Sequence, residues 1–286
     1  MLTAVDRVQI VVRDREQAAE TLRGVLGAVD VRADDVRALG ARRAVVQAGT
    51  CEFELLEPDG DGPAADFLAQ RGEGLFGAGF ATPDLDALCR RLEQKGVTAL
   101  REGEQAFLTK QDTAGMRIVL SPARARQPVG LIGHIYEVTL VVSDWEGARD
   151  RLVDLFDLDA GRFSPINSSQ WGYVGTLTLF DPPAKLDRVE IVTPNDPGKA
   201  MGKFHGKRGG ELYMCYVETD DVDAIAGRLE ARNGRFMGRG ERGKMDGLFI
   251  HPSAFHGVLV GVSRTTVAWN WSGHPELVAG GGGSGH

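Results

Sequence analysis

The sequence predicts an α+β fold of four βαβββ units arranged as two tandem domains, and three observations predict it. First, an aspartate follows an apolar run at Asp14, Asp84, Asp144 and Asp221. Each has an acid two places on (Glu16, Asp86, Glu146, Asp223) and a leucine eight places on (Leu22, Leu92, Leu152, Leu229). A helix N-cap, first-turn acids near the positive end of the helix dipole and a leucine two turns later on the buried face account for that spacing, so a strand–helix junction is written four times. Second, each predicted helix is followed by short runs with the length and composition of strands. Third, a basic stretch at residues 122–130 carries two prolines and no hydrophobic period, which divides the chain into halves.

In order, residues 4–12 are predicted as a strand, 14–26 as a helix with Gln17 three places beyond its cap, and 29–32, 43–47 and 52–56 as strands. The second unit repeats this with a strand at 75–82, a helix at 84–95 ended by Gly96, and strands at 97–101, 106–110 and 117–120. The third opens with a strand at 135–142 and a helix from Asp144, makes an excursion over 161–173, and continues as strands at 174–180 and 188–193. Residues 194–210 read as a glycine-rich basic loop. The fourth unit has a strand at 212–218, a helix at 221–232 ended at Asn233-Gly234, and strands at 235–238, 247–251 and 257–262. The domains are therefore expected at 1–121 and 132–265, with a linker at 122–131 and a Trp-containing tail at 266–286 whose end has linker composition.

A chain of 286 residues with 42% hydrophobic and 26% charged residues has the make-up of a soluble globular protein of two ordinary domains. A net charge of −7 gives no basic footprint, so nucleic acid is not an expected partner. No apolar run approaches the ~18 residues of a membrane span. Cys51, Cys89 and Cys215 lack CxxC spacing and are odd in number, which suits a reducing compartment and core positions; a cytoplasmic location is the expectation.

The strand–Asp–helix opening written four times resembles the vicinal oxygen chelate superfamily, which includes glyoxalase I, extradiol dioxygenases, methylmalonyl-CoA epimerase and bleomycin-resistance proteins. The stretch from Asp6 to Asp14 looks like that family's first strand, Phe53-Glu54-Leu55-Leu56-Glu57-Pro58 like its last, and Phe249-Ile250-His251-Pro252 with Gly257-Val258-Leu259-Val260 like the epimerase subgroup. The resemblance implies two glyoxalase-like domains, each closing a cup from two modules. It also implies metal ligands on first strands, seven places before the capping aspartate, and on last strands. Here the first-strand positions hold Arg7, Gly77, Glu137 and Met214, and the last-strand positions hold Glu54, Ile118 or Val119, Glu190 and Gly261. None of the first-strand residues is the family's usual histidine.

In the first half, Arg7 stands where a cation would lie and is expected to pair with Glu54. In the second, Glu137 and Glu190 are expected to face one cup. Close carboxylates repel, so either a cation lies between them or one holds a proton at raised pKa. An oxygen-only set favours Mg²⁺, Mn²⁺ or Ca²⁺ over Zn²⁺, with Tyr213, water or His251 completing it. Without metal, one glutamate is the base and its neighbour or His251 the acid. The bland alternative leaves the two glutamates solvated at the cup mouth, or pairs them with Arg162, Lys185 or Arg188, where they merely shape a binding cavity. The basic loop, with Lys199, Lys203, His205, Lys207 and Arg208, is expected either to close over an anion such as a CoA phosphate or to be a solvated loop. Trp171 and Tyr173, with whichever of Tyr213 or Tyr216 strand alternation sends inward, suit an apolar cavity for an aromatic or polyketide-like ligand.

The expectation is an enzyme of lyase or isomerase type, epimerase-like, acting on a carbonyl-containing, aromatic or acyl-CoA small molecule, with a divalent cation or none. Its alternative is a binding or sequestering protein of the resistance type. An extradiol dioxygenase fits least, because both first-strand histidines are absent. The chain is expected to be a monomer or homodimer.

Overall fold

Each of the four aspartates caps a helix in the computed structural model, which describes residues 1–181, 186–241 and 243–270. Asp14 accepts from the amides of Glu16 and Gln17, Asp84 from Ala87, Asp144 from Gly147 and Asp221 from Ala224. Such a cap contributes about 1 kcal/mol to each helix. Leu22, Leu92, Leu152 and Leu229 are all buried, so the repeat is a repeat of cap and core contact together. Lys185 and the tail beyond Asn270 lie outside the described residues.

The first half comprises β1 (Ala4–Val11), α1 (Arg15–Leu26), β2 (Val29–Val36), β3 (Ala41–Ala48), β4 (Cys51–Pro58), α2 (Pro63–Arg71), β5 (Gly74–Thr82), α3 (Leu85–Gln94), β6 (Leu100–Glu102), β7 (Gln105–Leu108) and β8 (Ile118–Pro122). The second repeats it as β9 (Ile135–Val141), α4 (Trp145–Phe156), β10 (Ser164–Ser168), β11 (Tyr173–Leu177), β12 (Arg188–Pro194), α5 (Ala200–Arg208), β13 (Glu211–Glu218), α6 (Val222–Ala231), β14 (Phe236–Arg239), β15 (Gly247–Ile250) and β16 (Leu259–Ser263), followed by α7 (Thr265–Asn270). The two eight-stranded sheets have orders β2-β3-β4-β1-β5-β8-β7-β6 and β10-β11-β12-β9-β13-β16-β15-β14. Modules therefore pair one with two and three with four, joined by antiparallel β1–β5 and β9–β13 at the centre of each sheet.

One sequence expectation needs correction. The basic stretch after residue 194 is not a loop throughout: Ala200–Arg208 is α5, because burial of Met201 and a bend at Gly209 turn a weakly patterned segment into two helical turns. Its counterpart α2, at the same place in the first half, was invisible in the sequence for the same reason: only Ala64 and Phe67 are buried along it.

Alternation along the strands sends one set of side chains to a core shared by both halves. Val8, Ile10, Val138, Leu140, Val189 and Ile191 pack there with the buried faces of α1, α3, α4 and α6. α1 meets α6 and α3 meets α4 at the domain boundary, where Phe80 and Phe180 also form an edge-to-face pair with centroids 5.7 Å apart. The Val5 amide donates to Asp187 Oδ1 at 2.7 Å across the same boundary. Cys51 and Cys215 are buried there and burial pushes both thiols up to about 12, as befits core residues; Cys89 is half-buried on α3. The other set of side chains points into the two cups. Among the described residues no helix is long and apolar enough to cross a membrane.

Candidate active site

The two cups are built on one template with its charges exchanged. Parallel pairing places Arg7 opposite Glu52 and Gln9 opposite Glu54 in the first half. In the second it places Glu137 opposite Arg188 and Thr139 opposite Glu190. The period of two along a strand turns all eight toward the concave faces. Arginine thus stands on the first strand of one cup and on the last strand of the other, while Glu54 and Glu190 hold the same position.

In the N-terminal cup the arginine is fully engaged. Arg7 Nη1 donates to Glu52 and Glu54, each at 2.8 Å, and Nη2 donates to Asp6 at 2.8 Å and Ser121 at 3.0 Å. Gly79 makes room for it, since a Cβ there would overlap Arg7 Cγ. Glu54, wholly buried, also accepts from Gln9 and Gln105 and pairs with Arg43 at 3.2 Å. Burial alone would raise its pKa, but Arg7 and Arg43 outweigh that and hold it at about 2. The expected Arg7–Glu54 pair is present, inside a larger ionic network that lines a polar cavity of about 390 Å³.

In the C-terminal cup a cavity of about 400 Å³ remains. Glu137 Oε2 accepts from Arg188 Nε at 2.6 Å, both residues being at most 3% exposed. The guanidinium lies 5.0 Å from the centroid of the Tyr136 ring, whose hydroxyl is 2.8 Å from Ser263 Oγ. Arg188 Nη1 is buried and, among the described residues, has no hydrogen-bond partner. Glu190 accepts from Thr139 Oγ1 at 2.6 Å and faces the Tyr173 phenol. Burial and then the Glu137 charge push Glu190 up to about 8, against the Thr139 bond, Arg188 and Tyr173. Equivalent glutamates thus shift in opposite directions: Glu54 has two arginines and two amides, whereas Glu190 has a neighbouring carboxylate and an arginine already engaged by it. Tyr136, Tyr173, Tyr213 and Tyr216 are all raised, burial being the first cause, so the phenols stay protonated and act as donors or walls.

Of the residues singled out from sequence, Glu137, Glu190, Trp171, Tyr173, Tyr213, Tyr216 and His251 line this cavity. Alternation would have sent only one of Tyr213 and Tyr216 inward. A register shift between Leu212 and Met214 admits both. Tyr216 lies over Gly261, where a Cβ would overlap its ring. His251 is exposed at the mouth, with Nδ1 2.8 Å from Ser253 Oγ and accepting from the Ser253 amide. Lys203, His205 and Lys207 do not line the cavity. They sit on the outer side of α5, which offers Ala200 and Met201 to the cavity instead, and His205 Nε2 is 3.1 Å from Ser143 Oγ. Helical rotation, unseen when the segment was read as a loop, is the reason.

Sequence reasoning gave Arg188 no role beyond that of a charge partner for the glutamates. The β9–β12 register that sets it against Glu137 could have been anticipated from Arg7 and Glu52 of the first half. Tyr136, Met201, Met214, Arg235, Arg239 and Phe249 also line the cavity without having been picked out as site residues.

The donor set does not suit the divalent cation that the resemblance implies. Glu137 is already engaged by a guanidinium, Met214 offers a thioether poorly matched to a hard ion, and Gly261 offers no side chain. Among the described residues no three His, Cys, Asp or Glu side chains are grouped to hold a metal.

Residues 6–116 match the family model described as Glyoxalase/Bleomycin resistance protein/Dioxygenase superfamily. A variant of 4-hydroxymandelate synthase from Streptomyces coelicolor superposes with a TM-score of 0.69 at 13% identity, covering 92% of this chain and 93% of that one; the likeness is one of fold. Methylmalonyl-CoA epimerase from Streptomyces coelicolor matches 44% of this chain over its whole length, at 28% identity and a TM-score of 0.40. The Mycobacterium tuberculosis epimerase matches 47% of this chain and 89% of its own, at 22% identity and a TM-score of 0.40. No curated protein sequence gives a significant match. The first half of the chain, over residues 6–116, thus carries the signature of the glyoxalase/bleomycin resistance/dioxygenase superfamily, and the second half repeats the same strand order.

Proposed function

We propose that the C-terminal cup is the site of an isomerase- or lyase-type proton transfer beside the carbonyl of a small planar molecule, with Glu190 as the acid-base group. The observation that carries this reading is Glu190 itself: a buried carboxyl raised to about 8, facing a cavity walled by Trp171, Tyr173, Tyr213, Tyr216 and Phe249. A group poised near neutral pH exchanges protons in both directions at comparable cost. In its ionised form Glu190 takes the proton from the carbon next to the carbonyl; the C–H electron pair forms the carbon–carbon double bond and the carbonyl π pair moves onto oxygen, giving an enolate. Return of the proton to the opposite face or to a neighbouring atom regenerates carbonyl and carboxylate. Thr139 and Tyr173 hold the carboxyl in place, and Glu137 acts on Glu190 through its charge. The N-terminal cup, where Arg7 is wholly engaged by acids and Glu54 is held ionised, is supportive.

The aromatic walls also favour a second reading, a protein that binds and sequesters a planar compound. Deuterium exchange separates the two. Aryl ketones, phenylacetone first, are incubated in D₂O with the protein, and label next to the carbonyl is followed by NMR. Exchange catalysed by the wild type and lost in Glu190→Gln supports proton transfer; binding of equal strength by both proteins with exchange by neither supports sequestration.

A further inference from the structure

The two cups offer an internal comparison that bears on the ligand. Arg7 has each of its terminal nitrogens bonded to acids, with Ser121 completing the set. Arg188, at the exchanged position, spends Nε on Glu137 and presents Nη1 without a partner among the described residues, although Arg188 is only 2% exposed and lines the cavity. A buried N–H of a charged group left unpaired costs on the order of a lost charge-assisted hydrogen bond, so such a group is ordinarily held for an acceptor. The guanidinium is held by Glu137 at Nε and lies over the Tyr136 ring, with Nη1 buried.

The surrounding charge agrees. Among the described residues, three arginines line the cavity (Arg188, Arg235 and Arg239) against two acids, Glu137 and Glu190, so the balance is positive even with both glutamates ionised. Glu190 stands two residues from Arg188 on β12, about 7 Å along the strand and on the same face.

We propose that Arg188 Nη1 is the seat of an anionic oxygen, and that the C-terminal cup takes a planar, largely apolar molecule head-first by a carboxylate or a dissociated enol. In this cup the guanidinium supplies the positive charge that a cation would otherwise bring. The inference rests on the reading of this cavity as the working site, yet it concerns Arg188 and ligand charge, and its failure leaves the Glu190-dependent deuterium exchange standing.

The test is calorimetric titration of the full chain with 3-phenylpropanoate and with the neutral 3-phenylpropanamide, and with 4-nitrophenolate as an enolate-like head. Arg188→Lys is the first variant, because it keeps a cation beside Glu137 while removing the Nη1 donor. The double variant Glu137→Gln with Arg188→Met removes both charges together, in case the lysine disturbs folding. The expected result is that wild type prefers an anionic head over the amide by about tenfold to a hundredfold, the worth of a hydrogen bond to a charged group, and that both variants lose this preference while still binding the amide. A preference confined to the propanoate identifies a carboxylate head, and one confined to the nitrophenolate identifies an enolate head. Equal affinity for acid and amide, a preference that survives both variants, or no binding of either anion at millimolar concentration overturns the proposal.

Discussion

Replacing Glu190 by glutamine isolates the energetic consequence of burying an acid beside another acid. The folded pKa is about 8 and the unfolded value near 4.5. The folded state therefore binds this proton more tightly, and the sign follows: stability is full below the unfolded value, falls as pH rises between the two, and levels off above the folded one. One proton contributes a slope of at most about 1.4 kcal/mol per pH unit, so wild type should lose about 2 kcal/mol between about pH 5.5 and about pH 7.5 on this account alone. Glutamine keeps the shape and neutrality of the protonated acid and has no proton to lose. Groups distant from Glu190 are common to both proteins and cancel in the comparison. Urea unfolding followed by tryptophan fluorescence suits the measurement, because all four tryptophans (Trp145, Trp171, Trp269 and Trp271) belong to the second half of the chain. The variant should match wild type at the acid end of the range and exceed it by about 2 kcal/mol at the neutral end. Parallel stability curves for the two proteins would refute the claim that Glu190 is protonated in the folded state.

The same position in the other cup predicts the opposite sign. Glu54 is held at about 2, so its contribution is present above about 4.5 and is lost as pH falls through about 2, and Glu54→Gln, which leaves Arg7 and Arg43 short of a partner, should cost about 3–5 kcal/mol near neutrality by chemical denaturation. Gly261→Ala drives a Cβ into the Tyr216 ring and should destabilise by about 1–3 kcal/mol while weakening ligand binding, measurable by thermal unfolding and titration; an unchanged melting temperature would mean that the ring moves aside freely. Because Glu137 is engaged by Arg188, millimolar Mg²⁺, Mn²⁺ or Ca²⁺ should leave the melting temperature where it is, whereas a rise that disappears in Glu190→Gln would restore a metal to this cup. The double variant Lys203→Ala with Lys207→Ala should leave affinity for 3-phenylpropanoate and its salt dependence unaltered, since both side chains point away from the cavity.

How far the sequence reaches can be seen residue by residue. Asp14, Asp84, Asp144 and Asp221 with their leucines disclosed the four modules, because cap and buried face lie within one helix and local spacing determines both. Glu137, seven places before its cap, and Glu190, on a last strand, stand at positions that the family resemblance marks, as do Arg7 and Glu54, whose pairing follows from charge complementarity. Both pairs were legible because strand alternation fixes which face a residue takes. Helices α2 and α5 were not legible, since each buries only two residues and has little amphipathic pattern. With α5 unseen, Lys203, His205 and Lys207 could not be assigned a direction.

What the sequence by itself determined is the module count, the strand–helix junction that opens each module and the strand face taken by Glu54, Glu137 and Glu190, since these follow from periods of two and 3.6 along a local segment. Only the tertiary structure decided which modules pair, that a register shift turns both Tyr213 and Tyr216 inward, and that two glutamates at equivalent positions carry opposite shifts. Those outcomes depend on neighbours brought from distant strands. Arg7, Arg43, Gln9 and Gln105 surround Glu54, and Glu137, Thr139 and Tyr173 surround Glu190, while the Arg188 beside them is already bound. A pKa is set by the sum of such non-local fields, which no spacing along the chain records.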